Sequence, residues 1–324
     1  MRIGVDLGGS KIEAIALADD GRILARQRVA APRGDYRRSV LAIRDLVLAV
    51  EAQAGTTGSP GTRGSLGVGI PGTVSPATGL VKNANSVWLI GHALDKDLAE
   101  ALGRPVRLAN DANCFALSEA MDGAGAGYNT VFGVILGTGC GAGIVINGHA
   151  LVGPNAIAGE WGHNPLPWPM PDELPGPACY CGLRGCNETW ISGTGLENDF
   201  TRATGLQLDA EDIVARADTG DAEAEAALRR LETRLARALA AVLNLLDPDV
   251  IVLGGGLSNL DRLYQSVPQL WETWAFSDTI VTPLKRNLHG DSSGVRGAAW
   301  LWAIGERAIG ERASGERASG ERLP

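Results

Sequence analysis

The sequence predicts an α/β protein of two lobes, on three observations. A strand ending in a glycine turn occurs twice, as Val5-Asp6-Leu7-Gly8-Gly9 and as Val134-Ile135-Leu136-Gly137-Thr138, and each runs into a second apolar strand, which reads as one unit duplicated. A third glycine turn, Gly254-Gly255-Gly256, closes another buried strand after a long amphipathic helix. At 324 residues with 45% apolar content, the chain can fill two cores of ordinary size.

Taken in order, Arg2 to Leu7 reads as a buried strand, Gly8-Gly9-Ser10-Lys11 as a tight turn and Ile12 to Ala18 as the returning strand. Val40, Ile43, Leu46, Val47 and Val50 recur at helical spacing and predict a helix over 39–53, followed by a loop over 55–64. Leu66 to Ile70 is the next strand, closed by Pro71-Gly72. A helix over 93–102 leads to a strand at Val106-Arg107-Leu108, after which Asn110-Asp111-Ala112-Asn113 opens a helix through Met121. Val131 to Leu136 and Ala142 to Ile146 form the second hairpin around residues 137–141. Apolar spacing gives a helix over 222–246, then the strand Val250 to Leu253, and Gly294 to Trp302 reads as a final helix. From Gly305 a five-residue repeat, Gly-Glu-Arg-Ala-Ile and its variants, carries one acid and one base per unit and almost nothing to bury, so it reads as a frayed helix or a disordered tail.

A formal charge of −8 with no run of lysine or arginine leaves no electrostatic footprint for nucleic acid or an anionic membrane. No apolar run reaches membrane-spanning length. The chain begins Met1-Arg2-Ile3-Gly4 and enters a strand directly, without a leader pattern, so a reducing cytoplasm is expected. A small polar substrate fits this balance.

Three of the five cysteines, Cys179, Cys181 and Cys186, fall within eight residues, with His163 upstream. Three thiolates and an imidazole make a complete tetrahedral set for Zn²⁺, and Gly182 and Gly185 allow the turns such a knuckle requires. The competing reading is a surface loop of reduced cysteines, since Cys-x-Cys-x₄-Cys is an uncommon spacing and His163 lies sixteen residues from Cys179 across a proline-rich loop. A metal here is expected to be structural, fixing Glu160 and Glu188 on either side of the ligands.

Glycine turns let backbone amides approach phosphate oxygens. The first turn is not a Walker loop, because Ser10-Lys11 reverses the required order and a strand follows, and the second lacks the βαβ context of a dinucleotide fingerprint. Each turn singly is also explained by hairpin geometry; the three together favour one nucleotide held between the lobes. Asp6, on the strand before the first turn, then suits Mg²⁺ or its water shell, or simply stabilises the turn. Asp111, at a helix N-terminus, serves as a cap or, staying ionised there, as the base that accepts a proton from a substrate hydroxyl. Asn85, Asn110, Glu160, His163 and Glu188 are the convergent polar groups a sugar needs.

These motifs, with Gly159-Glu160-Trp161-Gly162-His163 and Leu253-Gly254-Gly255-Gly256, resemble the ROK family of bacterial sugar kinases and repressors, whose members share an actin-like, ribonuclease-H-like fold. The resemblance covers Arg2 to about Trp302. It implies an N-terminal lobe over 1–118 to which a helix at about 294–304 returns, a larger lobe over 119–293 carrying the zinc knuckle, and a tail over 305–324. It also implies that Gly4, Asp6, Gly8, Gly9, Ser10, Lys11, Gly133, Gly137, Thr138, Gly139 and Cys140 contact ATP and its Mg²⁺, with Gly254, Gly255 and Gly256 near the adenosine. Asp111 becomes the catalytic base; Gly72, Asn85, Asn110, Asp111, Glu160, His163 and Glu188 become the sugar contacts; and His163, Cys179, Cys181 and Cys186 become zinc ligands. A homodimer is common among such proteins. The stretches Lys82 to Trp88, Trp161 to Trp168 and His289 to Trp300 look like the fructokinase branch, which implies phosphorylation of fructose at its 6-hydroxyl. An N-acetylglucosamine or glucose kinase shares every motif and is the alternative. A sugar-responsive repressor is disfavoured because the first glycine turn starts at residue 8, and a zinc-stabilised sugar-binding protein without turnover is the remaining rival.

Overall fold

The computed structural model describes residues 1–55 and 63–302, so most of the expected 55–64 loop and the repeat tail lie outside the described residues. Its first sheet joins β1 (Arg2–Leu7), β2 (Lys11–Leu17), β3 (Ile23–Ala30), β4 (Ser65–Ile70) and β7 (Val106–Asn110) in the order β3-β2-β1-β4-β7. A small hairpin, β5 (Thr73–Val74) with β6 (Val81–Lys82), stands beside it. The second sheet joins β8 (Thr130–Leu136), β9 (Cys140–Ile146), β10 (His149–Ala150), β11 (Val250–Gly254) and β12 (Leu284–Arg286) in the order β10-β9-β8-β11-β12. In each sheet the glycine-tipped hairpin is antiparallel, and the next two strands add in parallel on its first strand. The duplication legible in two short motifs is therefore a duplication of whole sheets.

The first sheet buries Ile3, Val5 and Leu7 against α1 (Tyr36–Gln53), whose Ile43, Leu46, Val47 and Val50 form the facing stripe, and against α2 (Leu94–Leu102). In the second lobe, α7 (Ala222–Leu246) fills the core with Leu228, Leu231, Leu235 and Leu239 beneath Phe132, Val134 and Leu253. Asp221 caps α7 by accepting from the Glu223 and Ala224 amides. The strands β3, β10 and β12 and the helices α4 (Glu188–Ile191), α5 (Gly193–Thr204), α6 (Ala210–Asp218) and α8 (Leu263–Trp271) have no counterpart among the expected elements. β3 is a largely exposed edge strand with Arg26, Gln27 and Arg28 at its centre, and α4 to α6 are short, so their apolar pattern repeats over few turns.

Two helices tie the lobes together. α3 (Asp111–Asp122) starts at the end of β7 in the first sheet, yet its body packs on the second: Gly133 and Gly143 lie against Ala116, and Gly254 lies on the Phe115 ring. Residue 118, the expected lobe boundary, falls inside this unbroken helix. α9 (Ser293–Ala299) returns to the first sheet, where Gly4 and Gly67 leave room for its backbone, and it crosses α3 with Gly297 directly on the Cys114 carbonyl. Trp302 then donates to the Leu66 carbonyl at 2.8 Å and its ring carries the Arg107 guanidinium.

The proline-rich loop is held by charge. Glu173 accepts from Arg234 and Arg237 of α7, at 2.7 to 2.8 Å, and Arg234 also donates to Asp199 of α5 at 2.7 Å. Burial alone would raise the Glu173 carboxyl, but the Arg237 and Arg234 hydrogen bonds outweigh it and hold it at about 2. Because the folded value lies below the unfolded one, this contribution is complete at neutral pH and is lost as pH falls from about 4.3 through about 2.

Glu173→Gln is expected to destabilise the protein by about 3–5 kcal/mol at pH 7 by leaving buried guanidinium charge unmatched, with the deficit against wild type shrinking below about pH 4 in urea melts. Gly297→Ala is expected to lower the melting temperature by several degrees, since its Cβ would overlap the Cys114 carbonyl and the two helices must separate.

Candidate active site

The strand register places the site. In the first sheet Asp6 stands opposite Gly69 and Ile70 opposite Asn110, so Asp6 and Asp111 leave the same C-terminal edge of three parallel strands on either side of β4. In the second sheet Ile135 pairs with Gly254, which brings the turns at 137–139 and 254–256 side by side; Gly255 packs on the Leu136 carbonyl and the Gly137 amide.

Asn110 caps α3 by accepting from the Ala112 amide at 2.9 Å, and its own amide donates to the Gly72 carbonyl at 3.3 Å. Gly72 sits at φ +134° with the backbone of Lys82 and Ala84 against it, so it is a close-approach residue that aims Asn110. Asp111 accepts from the same Ala112 amide at 2.8 Å. Its side chain reaches solvent yet lies deep among protein atoms. Desolvation is the largest influence and raises its carboxyl above the ordinary range; the Ala112 amide and Asn110 pull it back, and the charge of Glu160 pushes it up again. Burial thus works against the helix N-terminus, which favours the ionised carboxylate.

Asp6 is raised to about 6, first by desolvation and then by the charge of Asp111. Bare walls surround it: a Cβ on either Gly69 or Gly294 would stand 3.7 Å from its oxygens, and among the described residues none donates a hydrogen bond to it. Two desolvated carboxylates in one recess form a hard-oxygen site whose repulsion a divalent cation would relieve. Cys114, one helical turn beyond Asp111, is buried beneath both and its thiol is pushed well up by burial. Nothing in the sequence motifs singles it out except its i+3 spacing from Asp111.

The glycines divide into two groups. Gly8, Gly9, Ser10, Lys11, Gly137, Thr138, Gly139, Gly255 and Gly256 lie at accessible strand-end turns. Gly4, Gly133 and Gly254 do not: each is buried and serves the packing of α9 or α3 described above. The Cys140 thiol is buried, and its amide is taken by Glu188, which accepts from it at 3.1 Å and crosses directly over Gly139. Glu188 therefore joins the second glycine turn to the cysteine loop. Asn85 is exposed on the loop after β6.

The cysteine loop brings its four expected ligands together. His163 Nδ1 lies 3.6 Å from Cys179 Sγ, Cys181 Sγ lies 3.6 Å from Cys186 Sγ, and all four ligand atoms lie within 4.8 Å of one another. A tetrahedral Zn²⁺ with bonds of about 2.3 Å to sulfur requires edges of about 3.8 Å, so the donor set fits the ion in size and chemistry. Gly182 at φ +90° and Gly185 at +72° supply the left-handed turns of the knuckle, and the Cys179 amide donates to the Leu183 carbonyl at 2.9 Å. The other imidazole nitrogen, Nε2, faces the Tyr180 hydroxyl at 2.9 Å. A groove of about 480 Å³ behind this loop, lined by Phe132, Ile144, Trp161, Val242 and Leu245, is mostly apolar and touches the polar cluster only near Glu160. Convergence of carboxylates, not volume, marks the site.

The ROK family model matches residues 2–304. The chain is 39% identical over 305 residues to the N-acetyl-D-glucosamine kinase of Yersinia pseudotuberculosis serotype O:1b (strain IP 31758), covering 93% of this chain and 98% of the relative. It is 40% identical over 305 residues to the N-acetyl-D-glucosamine kinase of Photobacterium profundum, covering 93% and 99%. Among solved structures, a ROK hexokinase from Thermus thermophilus superposes with a TM-score of 0.82 at 32% identity, covering 93% and 97%. A ROK family glucokinase from Streptomyces griseus in complex with glucose and AMPPNP gives 0.71 at 30%, covering 93% and 98%. The fructokinase expectation, drawn from the stretches at 82–88, 161–168 and 289–300, is overturned by these relatives, which are N-acetyl-D-glucosamine kinases matched along nearly their full length. Sheets of duplicated topology, two carboxylates at one strand edge and a loop that gathers His163 with three cysteines beside them accompany that match, and the chain belongs to the ROK family.

Proposed function

We propose that this protein is an ATP-dependent sugar kinase whose substrate is N-acetyl-D-glucosamine, with glucose as the runner-up. The observation that carries the reading is the placement of Asp111: a desolvated carboxylate on the Asn110 cap, beside Asp6 and within the field of Glu160. The N-acetyl-D-glucosamine kinases at 38–40% identity supply the substrate. In phosphoryl transfer the protein mainly positions the acceptor and neutralises charge, so one aligned base and a cation site suffice. Asp111 accepts the proton of the sugar's 6-hydroxyl as that oxygen bonds to the γ-phosphorus and ADP leaves. Its raised proton affinity makes it a better base than an ordinary aspartate, provided it is ionised. Asp6 would hold Mg²⁺ or its water shell, which supplies charge neutralisation at the phosphates. The accessible turns at 8–11 and 137–139 offer backbone amides to the phosphates, and Gly255 and Gly256 lie toward the adenosine.

Zn²⁺ on His163, Cys179, Cys181 and Cys186 would play a structural part. The chain between and around the ligands carries Glu160, His163 and Glu188, the groups that hold the sugar, and closing the knuckle removes their freedom before the sugar arrives.

A coupled ADP-release assay is expected to show turnover with N-acetyl-D-glucosamine well above glucose, mannose and fructose; a higher kcat/KM for glucose would move the assignment to the runner-up. Asp111→Asn is expected to lower kcat by about 10²–10⁴ while calorimetric sugar affinity changes less than a few-fold, because the amide keeps shape but cannot take the proton. Full turnover in that variant would remove the base. Stripping metal with a chelator is expected to weaken sugar binding and loosen the loop to proteolysis, with both restored by added Zn²⁺; a metal-free protein of unchanged affinity would count against the knuckle.

A further inference from the structure

Tyr180 occupies the one position between two adjacent metal-ligand candidates, Cys179 and Cys181. Its hydroxyl lies 2.9 Å from His163 Nε2, and its ring stands edge to face on the imidazole with centroids 5.1 Å apart. Even so, 78% of the residue is exposed. Among charged neighbours it lies in the field of Glu188 and Glu160, the same carboxylates that border the sugar site, and Glu160 also acts on Asp111. A large aromatic residue is thus held against the imidazole, left mostly bare, and placed near two carboxylates expected to contact substrate.

We propose that Tyr180 is a sugar-contact residue, its hydroxyl oriented by His163 to donate a hydrogen bond to the substrate and its ring offered to the sugar's apolar face. The inference rests on the kinase reading above. Because Nδ1 of His163 faces the sulfur cluster, a metal there requires the imidazole proton on Nε2, and Nε2–H then donates to the Tyr180 oxygen. A phenol that accepts such a bond keeps its own proton to give. The acceptors within the site are sugar oxygens and the carboxylates that hold the sugar, so the Tyr180 O–H extends the row formed by Glu160 and Glu188, and His163, both of whose ring nitrogens are then engaged, acts on the sugar through Tyr180. Closure of the knuckle fixes the backbone on both sides of Tyr180, so little rotamer freedom remains to be lost on binding. A polar tip on a rigid aromatic body suits a ligand that is hydroxylated at its rim and apolar across its ring faces.

The test compares Tyr180→Phe and Tyr180→Ala with wild type in calorimetric titrations with N-acetyl-D-glucosamine, steady-state kinetics, and the absorption spectrum of the Co²⁺-substituted protein. Tyr180→Phe is expected to weaken sugar affinity and raise KM by about five- to twentyfold, with kcat and ATP affinity within about threefold and the Co²⁺ spectrum unchanged. Tyr180→Ala is expected to weaken the sugar further through loss of the ring. Sugar affinity within twofold of wild type in both variants would overturn the proposal while leaving the kinase reading intact, and so would weakening that tracks loss of the Co²⁺ spectrum, which assigns Tyr180 to the knuckle alone. If wild type binds none of the four sugars, both readings fall together.

Discussion

The crossing of α3 and α9 is the contact on which the rest of the molecule depends. α3 begins on the first sheet and packs on the second, α9 begins beside the second and packs on the first, and the two meet at Gly297 and the Cys114 carbonyl with no side chain between them. Gly4, Gly67, Gly133 and Gly143 extend that closeness outward, since each lets a helix lie directly on a strand. Interiors packed this tightly hold their elements to small tolerances. Asp111 is the first residue of one of these helices, and Gly294, against Asp6, lies in the other. The register of β1, β4 and β7 sets the separation of the two carboxylates, and the helix crossing closes the recess around them.

That packing also determines the electrostatics. Asp6 and Asp111 are brought together in a recess walled by glycine and a buried thiol; among the described residues Asp6 finds no hydrogen-bond donor, while Asp111, which reaches solvent, keeps the Ala112 amide. Beyond desolvation, the charge of Asp111 raises the proton affinity of Asp6 and that of Glu160 raises Asp111, where the Ala112 amide and Asn110 offset only part of the rise. A cation or a proton is what such a pair takes up, and phosphoryl transfer presents both. Around the helix crossing, Glu119 is fully buried and accepts from the Ala124 and Leu288 amides and from Ser293, fastening the segment ahead of α9 to α3.

The cysteine loop meets this centre from the second lobe. Its proline-rich arm is clamped on α7 by the Glu173 carboxylate between Arg234 and Arg237, and Arg234 also lies over the Trp190 ring. Its other end is Glu188, which holds the Cys140 amide and so reaches the glycine turn. Cys179, Cys181 and Cys186 lie between these anchors and His163 ahead of them, and the four ligand candidates close on one point. Glu160 and His163 sit on a single 3-10 turn, Trp161–His163 with Glu160 as its cap, and the convergence of the cysteines on His163 ties that turn to the pinned loop.

Local chemistry was what the amino-acid sequence could determine by itself. The two hairpins, the helix over 222–246 and the cluster of His163 with three cysteines depend on residues near one another along the chain, where periodicity, turn residues and ligand spacing speak directly, whereas the cap expected at Asp111 falls one residue earlier, on Asn110. Gly182 and Gly185 take the positive φ that their placement suggested, and the second hairpin differs from its expected bounds in starting at Thr130 and in taking Cys140 and Gly141 into its returning strand. What tertiary structure decided was which of the glycines reach the recess and which are spent on packing. Gly4 and Gly8 look alike in a motif, but one lies under α9 and the other at an open turn, and that distinction exists only once a helix from the far end of the chain has returned. The proton affinities of Asp6 and Asp111 were equally illegible, because desolvation is a property of what surrounds a group, and those surroundings are drawn from segments far apart along the chain.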